Sequence, residues 1–256
     1  MAEKFLARHT TASLRALAGG KRAVVALVPV GSTEPHGPHL GLGTDVVISA
    51  AACVRATELF ERKGPLVGVI APAISYGVTE CAAGFPGAVS VPAAVLTAYV
   101  AAICDGLLGA AQGFSFRHVC LVNNHLEPAH DAAIRAVLPG REGKVSVACP
   151  LAKQWARTLS DEFKSGACHA GQYETSIVMA AAPELVDEAA RQALPAVPIS
   201  LSKQLAAGVT TFAAMGLEHA YAGDPKAATV EEGERLIQKL AEMVVGEVRA
   251  ALGLPV

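Results

Sequence analysis

Acidic and imidazole side chains are concentrated in a short stretch that begins at Gly31 and reads GSTEPHGPHLGLGTD. It contains Glu34, His36, His39 and Asp45 among glycines and prolines that fix the loop. Carboxylate and imidazole groups together are ligands that suit Zn²⁺, Mn²⁺ or Fe²⁺ in proteins. We therefore expect Glu34, His36 and Asp45 to bind metal, and His39 to hold the loop by hydrogen bonds.

Two further stretches supply the same side-chain types. The sequence NNHLE ends at Glu127 and contains an H-x-E pair. Alternate residues of an extended segment point to the same side, so His125 and Glu127 can face one site. The sequence HAGQYETS begins at His169 and adds Glu174. A histidine with a pKa near ~6.5 both accepts and donates protons at neutral pH, which suits His169 to acid–base catalysis.

Charge balance in such a cleft favours metal ions. Glu34, Asp45 and Glu127 together would repel one another at a cost of several kcal/mol. Two divalent ions remove this conflict, and a carboxylate that bridges them gives a spacing of roughly 3.5–4 Å. Water bound there has a pKa near ~7 and provides a hydroxide nucleophile. We expect two ions, Zn²⁺ or Mn²⁺ with Fe²⁺ as an alternative, while a site with one ion stays open.

An alternation of strands and helices is predicted to position these side chains. Apolar runs predict the strands Lys21–Val30, Leu66–Ala71, Arg117–Val122 and Lys144–Cys149. The predicted helices are Val46–Arg62, Pro92–Ala111, Pro128–Leu138, Gln172–Ala182 and Thr229–Leu252. Residues 72–90 are predicted to form a long loop, and residues 188–216 give no clear prediction. The alternation indicates one domain with parallel strands and helices on both faces.

In such folds the ligand site lies beyond the carboxyl ends of the strands. Polar clusters follow the first three predicted strands directly, which meets this requirement. The cluster after the second strand contains Tyr76 and Glu80, and we expect both to line the pocket. Leu126, between the two residues of the H-x-E pair, is a third candidate for contact with substrate.

Composition excludes several classes of protein. Apolar residues make up 52% of the 256 residues and charged residues 17%, so the chain is expected to fold. The net charge is −2 without a basic stripe, which argues against nucleic-acid binding. No apolar stretch reaches the ~20 residues of a membrane span. Six cysteines without a C-x-x-C pair indicate reduced thiols, so we expect a cytoplasmic protein.

The first stretch also resembles a known family. PVGSTEPHGPHLGLGTD is similar to the signature P-V-G-S-x-E-x-H-G-P-H-L-P-x-x-T-D of the creatininase (creatinine amidohydrolase) family. GFPGAVSV, N-x-H, HAGQYETS and AGDPKAAT further along the chain match it too. The resemblance implies a three-layer α/β/α sandwich with a mostly parallel sheet. It also implies hydrolysis of a C–N bond other than a peptide bond, in a cyclic or linear amide, by a metal-bound hydroxide. A homo-oligomer, hexamer or trimer, is implied as well.

The resemblance assigns ligands to two metal ions. Glu34, Asp45 and His125 resemble the ligands of one ion. His36, Asp45 and Glu127 resemble those of the other, with Asp45 as the bridge.

It also assigns catalytic roles, and some alternatives stay open. His169 resembles the proton shuttle for the leaving nitrogen, Glu174 either orients His169 or coordinates, and Glu127 or Glu174 assists proton transfer. The family's tryptophan four residues before the shuttle is Ser165 here, and Trp155 lies in another segment. Creatinine is therefore one of several candidate small-molecule substrates. A deformylase, a lactone hydrolase, a peptidase of redox-cofactor maturation and a metal-stabilised scaffold are the alternatives.

Overall fold

A parallel sheet lies at the centre of the computed structural model, which describes residues 3–62, 64–110 and 113–255. Within these ranges four strands run in the order β2-β1-β3-β4. Their bounds are β1 Ala23–Val30, β2 Leu66–Ile70, β3 His118–Asn123 and β4 Val145–Ala148. All three strand pairings are parallel, and Ala26 of β1 pairs with Val69 on one side and Val119 on the other. Such strands are apolar along their length because both faces of the sheet are covered.

Helices connect the strands and cover both faces of the sheet. The α-helices of the described residues are α1 Thr11–Ala18, α2 Thr44–Arg62, α3 Ala93–Leu108, α4 Pro128–Arg135, α5 Lys153–Ala156, α6 Asp161–Ser165, α7 Gln172–Ala181, α8 Glu188–Ala193, α9 Leu201–Ala206 and α10 Val230–Ala251. None of them has the length and apolar composition needed to cross a membrane.

Successive residues of β1 point to opposite faces, and each face has its own apolar core. Val25 and Leu27 pack with α2, α7 and α10, whereas Val24 and Ala26 pack with α3 and α4. Burying one Val or Leu side chain fully contributes roughly 1.5–3 kcal/mol to folding. The order helix, sheet, helix confirms the predicted three-layer α/β/α fold.

The predicted strands and long helices are present, and their ends differ from the predicted ones by no more than three residues. The helix predicted over Pro92–Ala111 spans Ala93–Leu108, and Ala111 lies outside the described residues. Helix α2 begins at Thr44 rather than Val46, so Asp45 lies in its first turn, where the helix dipole favours negative charge. The sequence pattern does not predict α1, α5, α6, α8 or α9, because each is short and buries at most one side chain.

A third, smaller apolar cluster lies beyond the sheet. It joins Cys81 and Ala82 to Leu201, Phe212 and Leu217. We call residues 201–215 the roof segment, since several of its side chains line the cavity described below. All of it lies in the stretch, residues 188–216, that gave no clear prediction from sequence.

Candidate metal centre

The loops that leave β1 and β3 meet at the carboxyl edge of the sheet. The ends of these strands are in register, which brings Glu34 and His125 to the same place. Helix α2 then returns Asp45 beside Gly31. A Cβ atom on Gly31 would lie 2.6 Å from the Cβ of Asp45, so this approach requires glycine.

Asp45 lies between two imidazole rings. Its Oδ1 is 3.1 Å from Nε2 of His36, and its Oδ2 is 3.1 Å from Nδ1 of His125. The backbone N–H of Ser32 also donates to Oδ2 at 3.1 Å. Glu34 Oε1 is 3.2 Å from the same Nδ1 of His125. The carboxylate of Asp45 thus contacts both rings through different oxygens, as a ligand that bridges two metal ions would.

The backbone determines which nitrogen of each ring faces the carboxylates. In three imidazoles, one ring nitrogen lies at hydrogen-bond distance from a backbone carbonyl and donates its proton there. These bonds are His36 Nδ1 to Glu34 O at 3.1 Å, His125 Nε2 to Val78 O at 2.7 Å and His169 Nε2 to Pro35 O at 3.0 Å. In a neutral ring the other nitrogen then carries a lone pair, and in all three rings it faces carboxylate oxygens. Metal-binding histidines typically have this arrangement, so the residues present fit divalent cations.

Electrostatics support the same conclusion. Glu34, Asp45 and Glu174 are each at most 2% exposed. Burial disfavours a charge on His36, but Asp45 beside it outweighs this and raises the pKa of His36 to about 10. Burial also opposes ionisation of Glu34, yet His125 lowers the pKa of Glu34 to about 2. Burial raises the pKa of Glu174 to about 8. Without cations, protons must balance these buried charges, and divalent ions would take their place.

Three groups of ligand atoms in the described residues lie close enough to hold an ion, with all atoms of a group within 4.8 Å of one another. They are Glu34, Asp45 and His125; His36, Asp45 and Glu174; and Glu34, His36 and His169. Asp45 belongs to the first two groups.

Glu174 enters the second group from the first turn of α7. Its Oε2 is 3.5 Å from His36 Nε2 and accepts the N–H of Ala170 at 2.6 Å. Ala170 has φ of 52°, a left-handed conformation that is costly for alanine. The strained turn is therefore part of what aims this carboxylate at His36.

Glu127, expected from the sequence as a ligand, lies outside all three groups. Its two oxygens accept the backbone N–H groups of Glu80 and Cys81, each at 3.0 Å. Its Oε2 is 4.0 Å from His125 Nε2, the nitrogen that already donates to a carbonyl. The carboxylate thus holds the loop after β2. His39 also lies outside the groups, and its Nε2 is 3.0 Å from Oγ1 of Thr175.

Two residues of the loop after β2, Tyr76 and Glu80, do not line the cavity as expected, although Cys81 of the same loop does. Tyr76 is 54% exposed, and the carboxylate of Glu80 accepts the hydroxyl of Ser90. Neither residue lines the cavity, whereas Leu126 does. Sequence reasoning missed Thr79, whose hydroxyl donates to Glu34 Oε2. Its place in the polar cluster after the second strand is the signal that could have identified it.

A cavity of about 420 Å³ opens beside the carboxylates and imidazoles. Its remaining wall is mostly apolar and is formed by Cys81, Leu126, Pro128, Leu151, Cys168, Leu201, Ser202, Leu205, Ala206, Phe212 and Met215. Glu127 also lines it, and no Lys or Arg of the described residues does. Phe212 packs on His169 with ring centroids 4.5 Å apart. Trp155 is not in the wall, since its indole N–H donates to Glu247 at 2.6 Å and fixes it against α10.

Comparison with known proteins agrees with this geometry. The family model described as creatininase, creatinine amidohydrolase, matches residues 7–248. The chain belongs to the creatininase family. The family resemblance inferred from the first motif is therefore confirmed, and the chain is a member of a family of hydrolases.

Relatives within the creatininase family carry different names. A mycofactocin precursor peptide peptidase of Mycolicibacterium smegmatis is 32% identical over 222 residues, which cover 86% of this chain and 81% of that protein. A creatinine amidohydrolase of Pseudomonas putida is 32% identical over 183 residues, covering 64% of this chain and 66% of the other.

Solved structures share the fold. A crystal structure of creatinine amidohydrolase covers 100% of both chains with a TM-score of 0.72 and 22% identity. Two further creatininase structures, each covering 98% of this chain and 99% of their own, are titled as a Mn form and as a Zn-Zn type. Their TM-scores are 0.67 and 0.68, and their identities are 23% and 22%.

Proposed function

We propose that this chain is a metal-dependent amidohydrolase that cleaves the C–N bond of an amide next to an apolar side chain. The observation that carries the proposal is the position of Asp45, with one oxygen 3.1 Å from His36 and the other 3.1 Å from His125. In the absence of metal, only protons on the imidazoles balance the charges of these buried carboxylates. A pair of cations between them gives every donor a partner.

Glu34, Asp45 and His125 would hold one ion, and His36, Asp45 and Glu174 the second. The creatininase structures titled Mn and Zn-Zn support these two metals as the occupants. When bound, a pair of divalent ions supplies a water nucleophile at neutral pH and polarises the scissile carbonyl. Three buried carboxylates against two divalent ions leave one positive charge, which favours the developing negative charge on the carbonyl oxygen.

His169 serves as the general acid and base. Its Nε2–H is donated to Pro35 O, so Nδ1 is the nitrogen free to take a proton. This atom is 3.8 Å from Glu34 Oε1, on the side of the carboxylate group. Burial lowers the pKa of His169 to about 4, so its ring is neutral at pH 7 and can act first as a base. Nδ1 takes the proton from the attacking water and returns it to the leaving nitrogen as the C–N bond breaks.

The cavity favours a substrate larger and more apolar than creatinine. Its volume of about 420 Å³ lies within the range of sites for drug-sized ligands. Its wall offers leucines, a phenylalanine and a methionine, and no Lys or Arg of the described residues lies in it to pair with an anionic substrate. The relative named as a mycofactocin precursor peptide peptidase supports a peptide, and that bond class would differ from the non-peptide amide expected from the sequence.

We also propose that the chain forms a homo-oligomer, as the sequence resemblance implies. Helix α3 supports this, since Val95 and Tyr99 are each 57% exposed on it. The sequence has no charged residue between positions 92 and 104. Light scattering during size-exclusion chromatography measures the number of subunits, and a monomer at micromolar concentration would contradict the proposal.

Metal analysis combined with an amide screen tests the enzymatic proposal. The purified chain should contain divalent metal and release amine from peptides with apolar residues. His169→Gln should lower turnover by about 10²–10⁴-fold with metal content unchanged, because the proposed assignment makes His169 the proton carrier and a ligand of neither ion. Loss of metal would instead identify His169 as a ligand. Asp45→Asn should lose metal and turnover together. Metal without turnover of peptides, formamides or lactams would instead favour a scaffold.

A further inference from the structure

Residues 77–81 form a strip beside the candidate metal centre, and Val78 and Thr79 contact its side chains directly. Thr79 donates to Glu34, and the N–H groups of Glu80 and Cys81 donate to Glu127. The carbonyl of Val78 accepts the Nε2–H of His125. The position of this strip therefore determines how several of the acidic and imidazole side chains are aimed.

His130 belongs to α4 and packs against the start of this strip, where it is fully buried. Its Nδ1 accepts the backbone N–H of Val78 at 3.2 Å. Its ring meets that of His125 edge to face, with centroids 4.6 Å apart and planes at 75°. His130 thus contacts His125 twice, once directly and once through Val78.

Two features indicate that an imidazole is specifically accommodated here. A Cβ atom on Gly77 would lie 2.3 Å from His130 Nδ1, so the strip passes the ring at a distance only glycine allows. The other nitrogen, Nε2, is buried and has no hydrogen-bond partner among the residues that the structure describes. Leaving a buried donor unpaired costs about 1–3 kcal/mol. A leucine would avoid that cost, so stability of the core alone does not account for a histidine at this position.

We propose that His130 is a positioning residue for His125. By accepting the Val78 N–H, it holds the Val78 carbonyl against His125 Nε2, and this keeps His125 Nδ1 directed at Glu34 and Asp45. This inference rests on the proposed role of His125 as a metal ligand. Groups that orient metal-binding histidines typically change metal affinity by 10–100-fold when they are removed.

The test compares Zn²⁺ affinity of full-length variants by competition with a chromophoric chelator. His130→Leu should weaken binding of the ion held by His125 about 10–100-fold. His130→Asn should recover most of this loss, because its side-chain oxygen can accept the Val78 N–H. His118→Leu is the matched control, since His118 is also fully buried but lies at the opposite end of β3. It should lower thermal stability and leave Zn²⁺ affinity unchanged.

A double-mutant cycle covers the case in which His130→Leu fails to fold. Gly77→Ala should weaken Zn²⁺ binding, because its Cβ displaces the imidazole of His130. In the His130→Ala background the same substitution should add little further loss. Additive losses would overturn the proposal, as would a His130→Leu protein that binds Zn²⁺ like the wild type or no worse than His118→Leu. A wild-type chain without Zn²⁺ affinity would instead refute the proposed metal centre itself.

Discussion

Replacing Glu174 by Gln and, separately, Glu127 by Gln decides which carboxylate completes the second metal position. The two substitutions are matched, since each removes one negative charge and keeps the shape of the side chain. Glu174 Oε2 is 3.5 Å from His36 Nε2, within a group that also contains Asp45. The oxygens of Glu127 are already paired with two backbone N–H groups.

The expected magnitudes follow from these contacts. Glu174→Gln removes the charge of one of three donors, so the second ion should bind at least about 100-fold more weakly, or about 2.8 kcal/mol. The amide oxygen of Glu127→Gln can still accept one of the two N–H groups. Glu127→Gln should therefore lower metal affinity by about tenfold or less, which is the lower end of the range for groups that only orient metal ligands.

The assay is metal content by mass spectrometry after dialysis against buffered Zn²⁺. We expect about two ions per chain in the wild type and in Glu127→Gln, and about one in Glu174→Gln. Thermal unfolding of the metal-free proteins checks that both variants are folded. If Glu127→Gln loses an ion while Glu174→Gln keeps two, the original sequence assignment of Glu127 is correct and our interpretation of the contacts is wrong.

Three further predictions test the cavity, the loop and the core. Leu205→Asp should lower kcat/KM for amides with bulky apolar side chains by about tenfold without changing metal content, because it places a charge in the apolar wall. Gly31→Ala should cost about 1–3 kcal/mol in urea unfolding and weaken metal binding, since its Cβ collides with Asp45. Burial lowers the pKa of His118 to about 4, below the 6.5 of an exposed ring. Between pH 4 and pH 6.5 the His118 ring is therefore protonated in the unfolded state and neutral in the folded state. The free energy of unfolding consequently falls as pH drops from 6.5 towards 4, by up to about 3 kcal/mol. His118→Gln should flatten that part of the stability curve measured by urea unfolding, and an unchanged curve would contradict the assignment.

The sheet and its long helices could be predicted from sequence because their signals are local. Runs such as Ala23–Val30 are apolar throughout, and only a strand covered on both faces needs that pattern. The short helices α5, α6, α8 and α9 span four to six residues, and tertiary contacts rather than local pattern fix them. The roof segment contains α9, so its contribution to the apolar wall could not be predicted, whereas Leu126 in the same wall was predicted from the H-x-E motif.

Ligand types were easier to predict than ligand directions. Glu34 and His36 share one loop, and Asp45 follows in the first turn of α2, so the short spacing with its glycines and prolines makes their proximity predictable from sequence. The direction of Glu127 depends on the N–H groups of Glu80 and Cys81, which come from another strand connection. No spacing rule within the H-x-E pair contains that information.

The direction of the metal-facing nitrogens is a property of loop backbone rather than of the ligands themselves. Carbonyls of Pro35 and Val78 decide which nitrogen of His169 and of His125 is left free. The position of the Val78 carbonyl depends in turn on the close approach of Gly77 to His130, which only glycine permits. A substitution that leaves every ligand intact but moves these loops should therefore weaken metal binding. Conversely, a chain that keeps the ligand residues of the motif but changes these loops is expected to bind metal more weakly.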